Sequence, residues 1–508
     1  MSATPATAMH PVLIDGHWRP ADATGSFTAT NPATGESLAD AYPVSSANDV
    51  EEALAAAARA FCEWEKLPRS ALADFLRKYA DLVDQRAETI ARAAHEETGL
   101  PYEPRLKGVE LPRTTGQLRQ AADACLDPAW RLPVIDEAAN LRSVLQPIGP
   151  VLVLGPNNFP LAFNGISGGD FAAAVAAGCP VIAKAHRSHP TTSRLLAEAA
   201  HEAAADLPPG SVQMIFAVDH ADGLAMVADP RLGAAAFTGS RSGGLRLKRA
   251  ADEVGKPFFA ELSAINPVIV LPGTLVERFD AMVDETATSG LMGAGQFCTN
   301  PGLIITLAGD DTERFVAAVA ERYAAAAPQP LLGPGVLKCL AESVSTLQAA
   351  GAKLIQGGEA AEGAAIAHQN TLLRIDGAAF LAQPDALQTE AFGPCTLVAV
   401  CDDIEQVRQV LSTLEGSLTG CIYSATDGSD DAAYDELAPV LAARVGRLLN
   451  DKMPTGVAVS PAMNHGGPFP ATGHPHFTAV GLPAACRRFT RLACFDNVRP
   501  HRLPAILR

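Results

Sequence analysis

At 508 residues, with 48% hydrophobic and 19% charged side chains, the chain exceeds one hydrophobic core and suits a globular, enzyme-like protein of two or three domains. A formal net charge of −17 argues against nucleic acid as a partner, because phosphate binding needs clustered Lys and Arg. The opening Met1–His10 has no basic start followed by an apolar core, apolar runs are too short to span a bilayer, and the ten cysteines show neither C-x-x-C pairs nor ligand-like His/Cys spacing. The expectation is a cytoplasmic protein with reduced thiols, no membrane partner and no metal site.

Taken in order, the chain opens with short strand-like pieces at Val12–Asp15 and Ser26–Thr30 and a turn over Asn31–Glu36. Helical patterns follow from Ser46 to Trp64, from Ser70 with apolar Leu72, Phe75, Leu76, Tyr79 and Leu82, from Ala87 to Thr98, and from Val109 to Cys125. The first third is therefore expected to be largely helical. Pro128–Gln146, Pro-bounded and alternating, reads as an exposed hairpin arm. From Gly149 the pattern alternates, with strands at Val151–Leu154, Val181–Lys184, Val212–Phe216, Ala234–Phe237 and Pro257–Leu262 and helices between them. This rhythm predicts a doubly wound, mostly parallel sheet, with ligands at the carboxyl ends of its strands. Strands at Val268–Leu271, Leu303–Thr306 and Thr396–Val400, with helices at Leu275–Met292, Thr312–Ala325 and Ile404–Leu414, predict a second α/β unit.

Several strand ends and loops carry candidate chemistry. Cys298 lies in G-L-M-G-A-G-Q-F-C-T-N-P (Gly290–Pro301), where small neighbours allow a substrate close to the sulfur. No histidine is adjacent in sequence, so the stretch is not that of a cysteine protease, and a buried structural cysteine is the plain alternative. Asn158 in P-N-N-F-P is able to donate to an oxyanion or simply to cap its loop. Lys184, His186, Arg187 and His189 gather at one strand end, as a phosphate site or a solvated basic loop. In F-T-G-S-R-S-G-G, Gly239, Ser240 and Gly244 suit a pyrophosphate at a helix start, although G-x-G-x-x-G is absent. Glu261 stands alone among Phe258, Phe259, Ala260 and Leu262, as a general base or a paired structural carboxylate. Glu390 and Phe392 in T-E-A-F-G-P precede a turn and a strand, suiting a sugar hydroxyl and a packed ring or a mere strand entry.

In this order, P-N-N-F-P, K-A-H-R, F-T-G-S-x-x-x-G, E-L-S, G-Q-F-C-T and E-A-F-G-P resemble the motif series of the aldehyde dehydrogenase superfamily over nearly the whole chain. R-T-T-G-Q-L-R (Arg113–Arg119), K-A-H-R-S-H-P, G-Q-F-C-T-N-P-G and Pro454–Thr472 are similar to its NADP-dependent 2,5-dioxovalerate (α-ketoglutarate semialdehyde) dehydrogenases; NADP-linked fatty aldehyde dehydrogenases share some of them. The resemblance implies an α/β fold: a Rossmann-type cofactor domain (1–131 and 149–262), an α/β catalytic domain (263–480) and a β-hairpin oligomerisation arm (132–148 and 481–508). It also implies a homodimer or homotetramer.

Carried onto these residues, the resemblance makes Cys298 the nucleophile that attacks a small-molecule aldehyde, Asn158 and the Cys298 N–H the oxyanion donors, and Glu261 the base that activates water. Gly239, Ser240 and Gly244 face the pyrophosphate, Glu390 the nicotinamide ribose and Phe392 the nicotinamide. Arg187 stands where many NAD-using members carry Glu, so Lys184 and Arg187 favour NADP, with NAD possible. Arg113 faces the substrate tunnel and suits a carboxylate-bearing aldehyde, with Phe159 and Phe297 on the substrate side. His474–Gly481 departs from the subgroup, whose members carry a more polar segment there. Competing readings are a fatty or medium-chain aldehyde dehydrogenase, a coenzyme-A-acylating enzyme (a class that typically lacks the base at Glu261) and a non-catalytic binding protein.

Overall fold

The computed structural model describes residues 9–363, 365–474 and 477–508. The first eight residues of the N-terminal stretch, and Pro475 and His476 of the His474–Gly481 segment, lie outside the described residues. Among the described residues no helix is long and apolar enough to cross a membrane.

The first seven-stranded sheet runs, edge to edge, Phe258–Glu261, Ala234–Thr238, Val151–Leu154, Val181–Lys184, Val212–Ile215, Val12–Ile14 and His17–Arg19. Its first five strands are parallel, as the alternation predicts, and the N-terminal hairpin joins antiparallel at Leu13↔Met214. Val151–Leu154 and Val212–Ile215 are buried throughout, which is why they read as unbroken apolar runs. The helix Ala47–Trp64 starts at Ser46, whose side chain accepts from the Asn48 N–H, and buries Val50, Ala53, Leu54, Ala57 and Trp64. Helices Arg69–Gln85 and Leu111–Leu126 also join this core, through Phe75, Leu76 and Tyr79 and through Leu118, Ala121 and Ala122.

The first third is less helical than expected. Ala23–Thr30 pairs antiparallel with Ser37–Ser45, which continues in parallel with Ala217–Val218. Ser37–Ser45 carries Pro43 and a half-exposed polar start, which hide a strand from a period-two search. Tyr102–Glu110, where Pro104 interrupts the pattern, forms a wide π-type turn that feeds the helix Leu111–Leu126.

The second seven-stranded sheet runs Lys353–Gln356, Thr371–Asp376, Cys395–Cys401, Leu303–Leu307, Val268–Val270, Ser417–Tyr423 and Val445–Asn450. All but Lys353–Gln356 run parallel. Ile269, Ile305, Leu397 and Ala399 face one core, while Val268, Val270, Ile304 and Val398 face another. Ser417–Tyr423 escapes sequence reading because Ser, Thr and Gly dilute it. Yet Gly420 is required there, since a Cβ would lie 2.7 Å from the Leu441 side chain.

The arm is a separate three-stranded sheet in which Leu141–Pro147 pairs with Val134–Asp136 on one side and Thr490–Asp496 on the other. The expected hairpin is present, and its third strand comes from the C-terminal segment.

Candidate active site

The helix Pro272–Leu291 delivers the chain to the cysteine loop. Gly293, Ala294 and Gly295 follow with φ of 58°, 55° and 66°, a left-handed run that reverses the chain tightly. At Gly295 a Cβ would lie 2.0 Å from the Gly393 carbonyl oxygen, so the loop is pressed against Gly393–Pro394 and only glycine fits. Asn266, 1% exposed, fastens the loop from the other side. Its Nδ2 donates to the carbonyls of Cys298 (2.8 Å) and Asn300 (3.0 Å), while its Oδ1 accepts from the Thr419 N–H and hydroxyl. Sequence reasoning passed over Asn266, which looks like an ordinary turn residue before Pro267.

Cys298 is partly exposed and faces two buried partners. His465 Nε2 lies 3.4 Å from its Sγ and 3.0 Å from Glu261 Oε1, and His465 and Glu261 side chains are each 1% exposed. The Cys–His pair that the local sequence lacks is thus assembled by the fold, from a histidine far along the chain. His465 is held by its own N–H donating to Thr478 Oγ1 and by the Phe163 ring, 5.9 Å away. Its only sequence signal is its place inside Pro454–Thr472. Glu261, at the carboxyl end of its strand, is not the lone carboxylate expected from its neighbours. Burial first, then the adjoining Glu261 carboxylate, push the Cys298 thiol well above its ordinary range, opposed by Arg113. The resting sulfur is a thiol.

Asn158, 6% exposed, donates from Nδ2 to the Gln296 carbonyl at 3.0 Å, so its amide sits against the cysteine loop. Behind it lies an arrangement that the sequence did not announce. Glu110, fully buried, accepts from the N–H groups of Leu161 (2.8 Å) and Ala162 (3.0 Å) and pairs with Arg105. Arg105 Nη2 donates to the Asn158 carbonyl at 3.2 Å, and its guanidinium lies over Phe159 (4.4 Å) and Phe297 (5.4 Å). Phe159 packs edge-on against both Phe163 and Phe297. Arg113 completes this wall over Phe159 (5.6 Å) and Phe163 (5.2 Å). Its Nε and Nη2 are buried without a hydrogen-bond partner among the described residues. Burial disfavours its charge, and the nearby Glu110 and Glu261 carboxylates partly restore it.

A cavity of about 500 Å³ is lined by Arg241, Ser263, Thr389, Glu390, Glu415 and Pro470, among others. Ser240 caps the helix Arg241–Glu253 by accepting from the Gly243 N–H. A Cβ at Gly239 would lie 2.8 Å from the Phe237 ring, and one at Gly244 2.3 Å from Leu262 Cδ2. Gly244 therefore packs its helix closely against Leu262 and Phe237. Glu390 receives the Ala264 N–H at 3.4 Å, and desolvation raises its carboxyl to about 7, with Ser263 opposing. Phe392 is partly buried nearby against the first core. Lys184 donates to the Ala185 carbonyl, and burial together with Arg187 lowers its ammonium to about 8. Arg187, exposed at the same strand end, lies over the Phe27 ring at 4.9 Å. A capped helix N-terminus, a carboxylate at a large cavity and two cations at the end of the Val181–Lys184 strand fit a dinucleotide.

A model of the aldehyde dehydrogenase family matches residues 18–454. The chain is 39% identical over 499 residues to alpha-ketoglutaric semialdehyde dehydrogenase 2 of Azospirillum brasilense, covering 95% of this chain and 94% of that protein. It is 39% identical over 479 residues to alpha-ketoglutaric semialdehyde dehydrogenase of Acinetobacter baylyi, covering 91% and 89%. Among solved structures, it matches a mutant of aldehyde dehydrogenase C from Pseudomonas syringae, complexed with NAD+ and octanal, with a TM-score of 0.83 at 22% identity, covering 99% of each chain. The NAD+ complex of a Bacillus cereus aldehyde dehydrogenase matches with a TM-score of 0.81 at 20% identity, covering 96% of each. At those identities the structural matches speak for the fold.

Proposed function

We propose that this chain, which belongs to the aldehyde dehydrogenase family and is an oxidoreductase acting on aldehydes with a nicotinamide dinucleotide, oxidises α-ketoglutarate semialdehyde to 2-oxoglutarate with NADP. The observation that carries the substrate is Arg113. A guanidinium held among phenylalanine rings beside the nucleophile, with two nitrogens unpartnered among the described residues, calls for an anion. A semialdehyde bearing a carboxylate supplies one, and the two alpha-ketoglutaric semialdehyde dehydrogenases at 39% identity support that choice. The three phenylalanine rings favour a second reading, a neutral longer-chain aldehyde.

In this reading His465 Nε2 takes the Cys298 proton as the sulfur attacks the aldehyde carbon. The oxyanion of the thiohemiacetal meets the Asn158 amide and the Cys298 N–H. The bound nicotinamide supplies the two-electron acceptor that takes this adduct to a thioester. Glu261, buried beside the sulfur, then orients and deprotonates the water that releases the acid. Lys184 and Arg187 would hold the adenosine 2′-phosphate, and Glu390 would hold the nicotinamide ribose.

Steady-state kinetics of Arg113→Met test the substrate. The KM for α-ketoglutarate semialdehyde should rise by about one to two orders of magnitude, the worth of a charge-assisted hydrogen bond. Pentanal kinetics should move little. Equal losses on both aldehydes would remove Arg113 from recognition and favour the neutral substrate.

A further inference from the structure

Glu261, Cys298 and His465 present a carboxylate oxygen, a sulfur and an imidazole nitrogen that all lie within 4.8 Å of one another. Tetrahedral zinc, with bonds of about 2.3 Å to sulfur, about 2.05 Å to nitrogen and about 2.0 Å to oxygen, sets neighbouring N and S ligands about 3.5 Å apart and N and O ligands about 3.3 Å apart. Here Nε2 lies 3.4 Å from Sγ and 3.0 Å from Oε1. These two separations come within a few tenths of an ångström of the zinc values, and the sulfur and the carboxylate oxygen lie within 4.8 Å of each other. A separate observation points the same way. Glu261 is 1% exposed, and although His465 Nε2 lies 3.0 Å from Oε1, neither of its oxygens receives an aligned hydrogen bond among the described residues. A buried carboxylate in that state is costly, and a divalent cation satisfies it.

We propose that Glu261, Cys298 and His465 form a three-ligand zinc(II) site that captures the nucleophile and reversibly inhibits the enzyme. The thiolate and imidazole select zinc over magnesium or calcium. The fourth position falls to water, because Cys298 is partly exposed. Binding forms Zn–S, Zn–N and Zn–O bonds and releases the thiol proton to solvent, with no change of oxidation state. The site does not rest on the choice of aldehyde.

The test is titration of the full-length chain with zinc against a chromophoric chelator, and with cobalt(II) read by its thiolate charge-transfer band. One zinc per chain is expected, with affinity falling about tenfold or more in each of His465→Gln and Glu261→Gln. The cobalt band should vanish in Cys298→Ser. Any of the three variants keeping zinc affinity within about twofold of the parent overturns the site, as does a parent that binds no zinc at micromolar concentration. A second measurement needs no variant. Zinc should protect Cys298 from iodoacetamide in the parent chain and leave the exposed Cys62 and Cys339 open to it. Unprotected Cys298 under saturating zinc also overturns the proposal.

Discussion

At Cys298, burial and the Glu261 carboxylate keep the sulfur protonated well beyond neutrality, so its reactivity should climb with pH instead of levelling off. Iodoacetamide labelling of Cys298, followed by peptide mass spectrometry, should keep accelerating from about pH 7 to about pH 9. A plateau near neutrality would reveal a preformed thiolate instead. Glu390 titrates within the working range, since desolvation raises it to about 7. If Glu390 holds the nicotinamide ribose as proposed, the carboxylate is its accepting form, so the KM for the dinucleotide should fall as pH rises through about 7, and Glu390→Gln should flatten that profile. Cys298, Glu261, Asn158, Glu390 and the Lys184–Arg187 pair each stand in a motif that singles them out in the sequence, and the fold gathers Cys298, Glu261 and Asn158 at the cysteine loop. His465, Asn266, Arg105 and Glu110 were not legible, because each acts on a residue distant in sequence, through contacts that only the fold creates.

Among the elements, the helix Pro190–Ala203 beside the Lys184–Arg187 loop is capped by a carboxylate from far upstream. Glu97 accepts from the N–H groups of Thr191 (2.6 Å) and Thr192 (2.9 Å) and from the Thr192 hydroxyl. Burial nevertheless raises Glu97 from 4.5 to about 7, so folding takes up a proton in that window. Its contribution to stability is full below the unfolded value and is lost as pH rises through about 7. Thermal unfolding midpoints should therefore decline between those limits, less steeply in Glu97→Gln than in the parent; parallel profiles would contradict the assignment. The cysteine loop depends on Asn266 in the same way. Asn266→Ala removes two donations and strands buried carbonyls, at about 1–3 kcal/mol, and should lower kcat as Cys298 loses its placement. Unchanged stability and kcat would show that Gly295 against Gly393 suffices. Elements buried on both faces were legible as apolar runs. Ser37–Ser45, Ser417–Tyr423 and the turn Tyr102–Glu110 were not, because Pro, Gly and Thr at packed positions erase the period.

Across the whole molecule, two parallel-rich sheets meet at the cavity that holds Glu390, and Arg241 bridges to Glu415 across it with contacts of 2.7 and 3.0 Å. The arm stands apart and exposes Val134, Ile135 and Leu492, with Val134–Asp136 at an open edge. A second copy of the chain is the expected cover for that edge. Sedimentation velocity should show a dimer or tetramer that Ile135→Pro weakens, and a monomeric parent would contradict it. The two parallel-rich sheets were legible in the sequence from its strand–helix rhythm, whereas the pairing of Thr490–Asp496 with Leu141–Pro147 needed the fold. The most direct measurement is kcat/KM of the parent enzyme with NADP for α-ketoglutarate semialdehyde beside pentanal. A preference of about a hundredfold or more for the semialdehyde is expected from a buried guanidinium that pairs with its carboxylate. Equal rates, or a preference for pentanal, would contradict the assignment of Arg113 and of the substrate together.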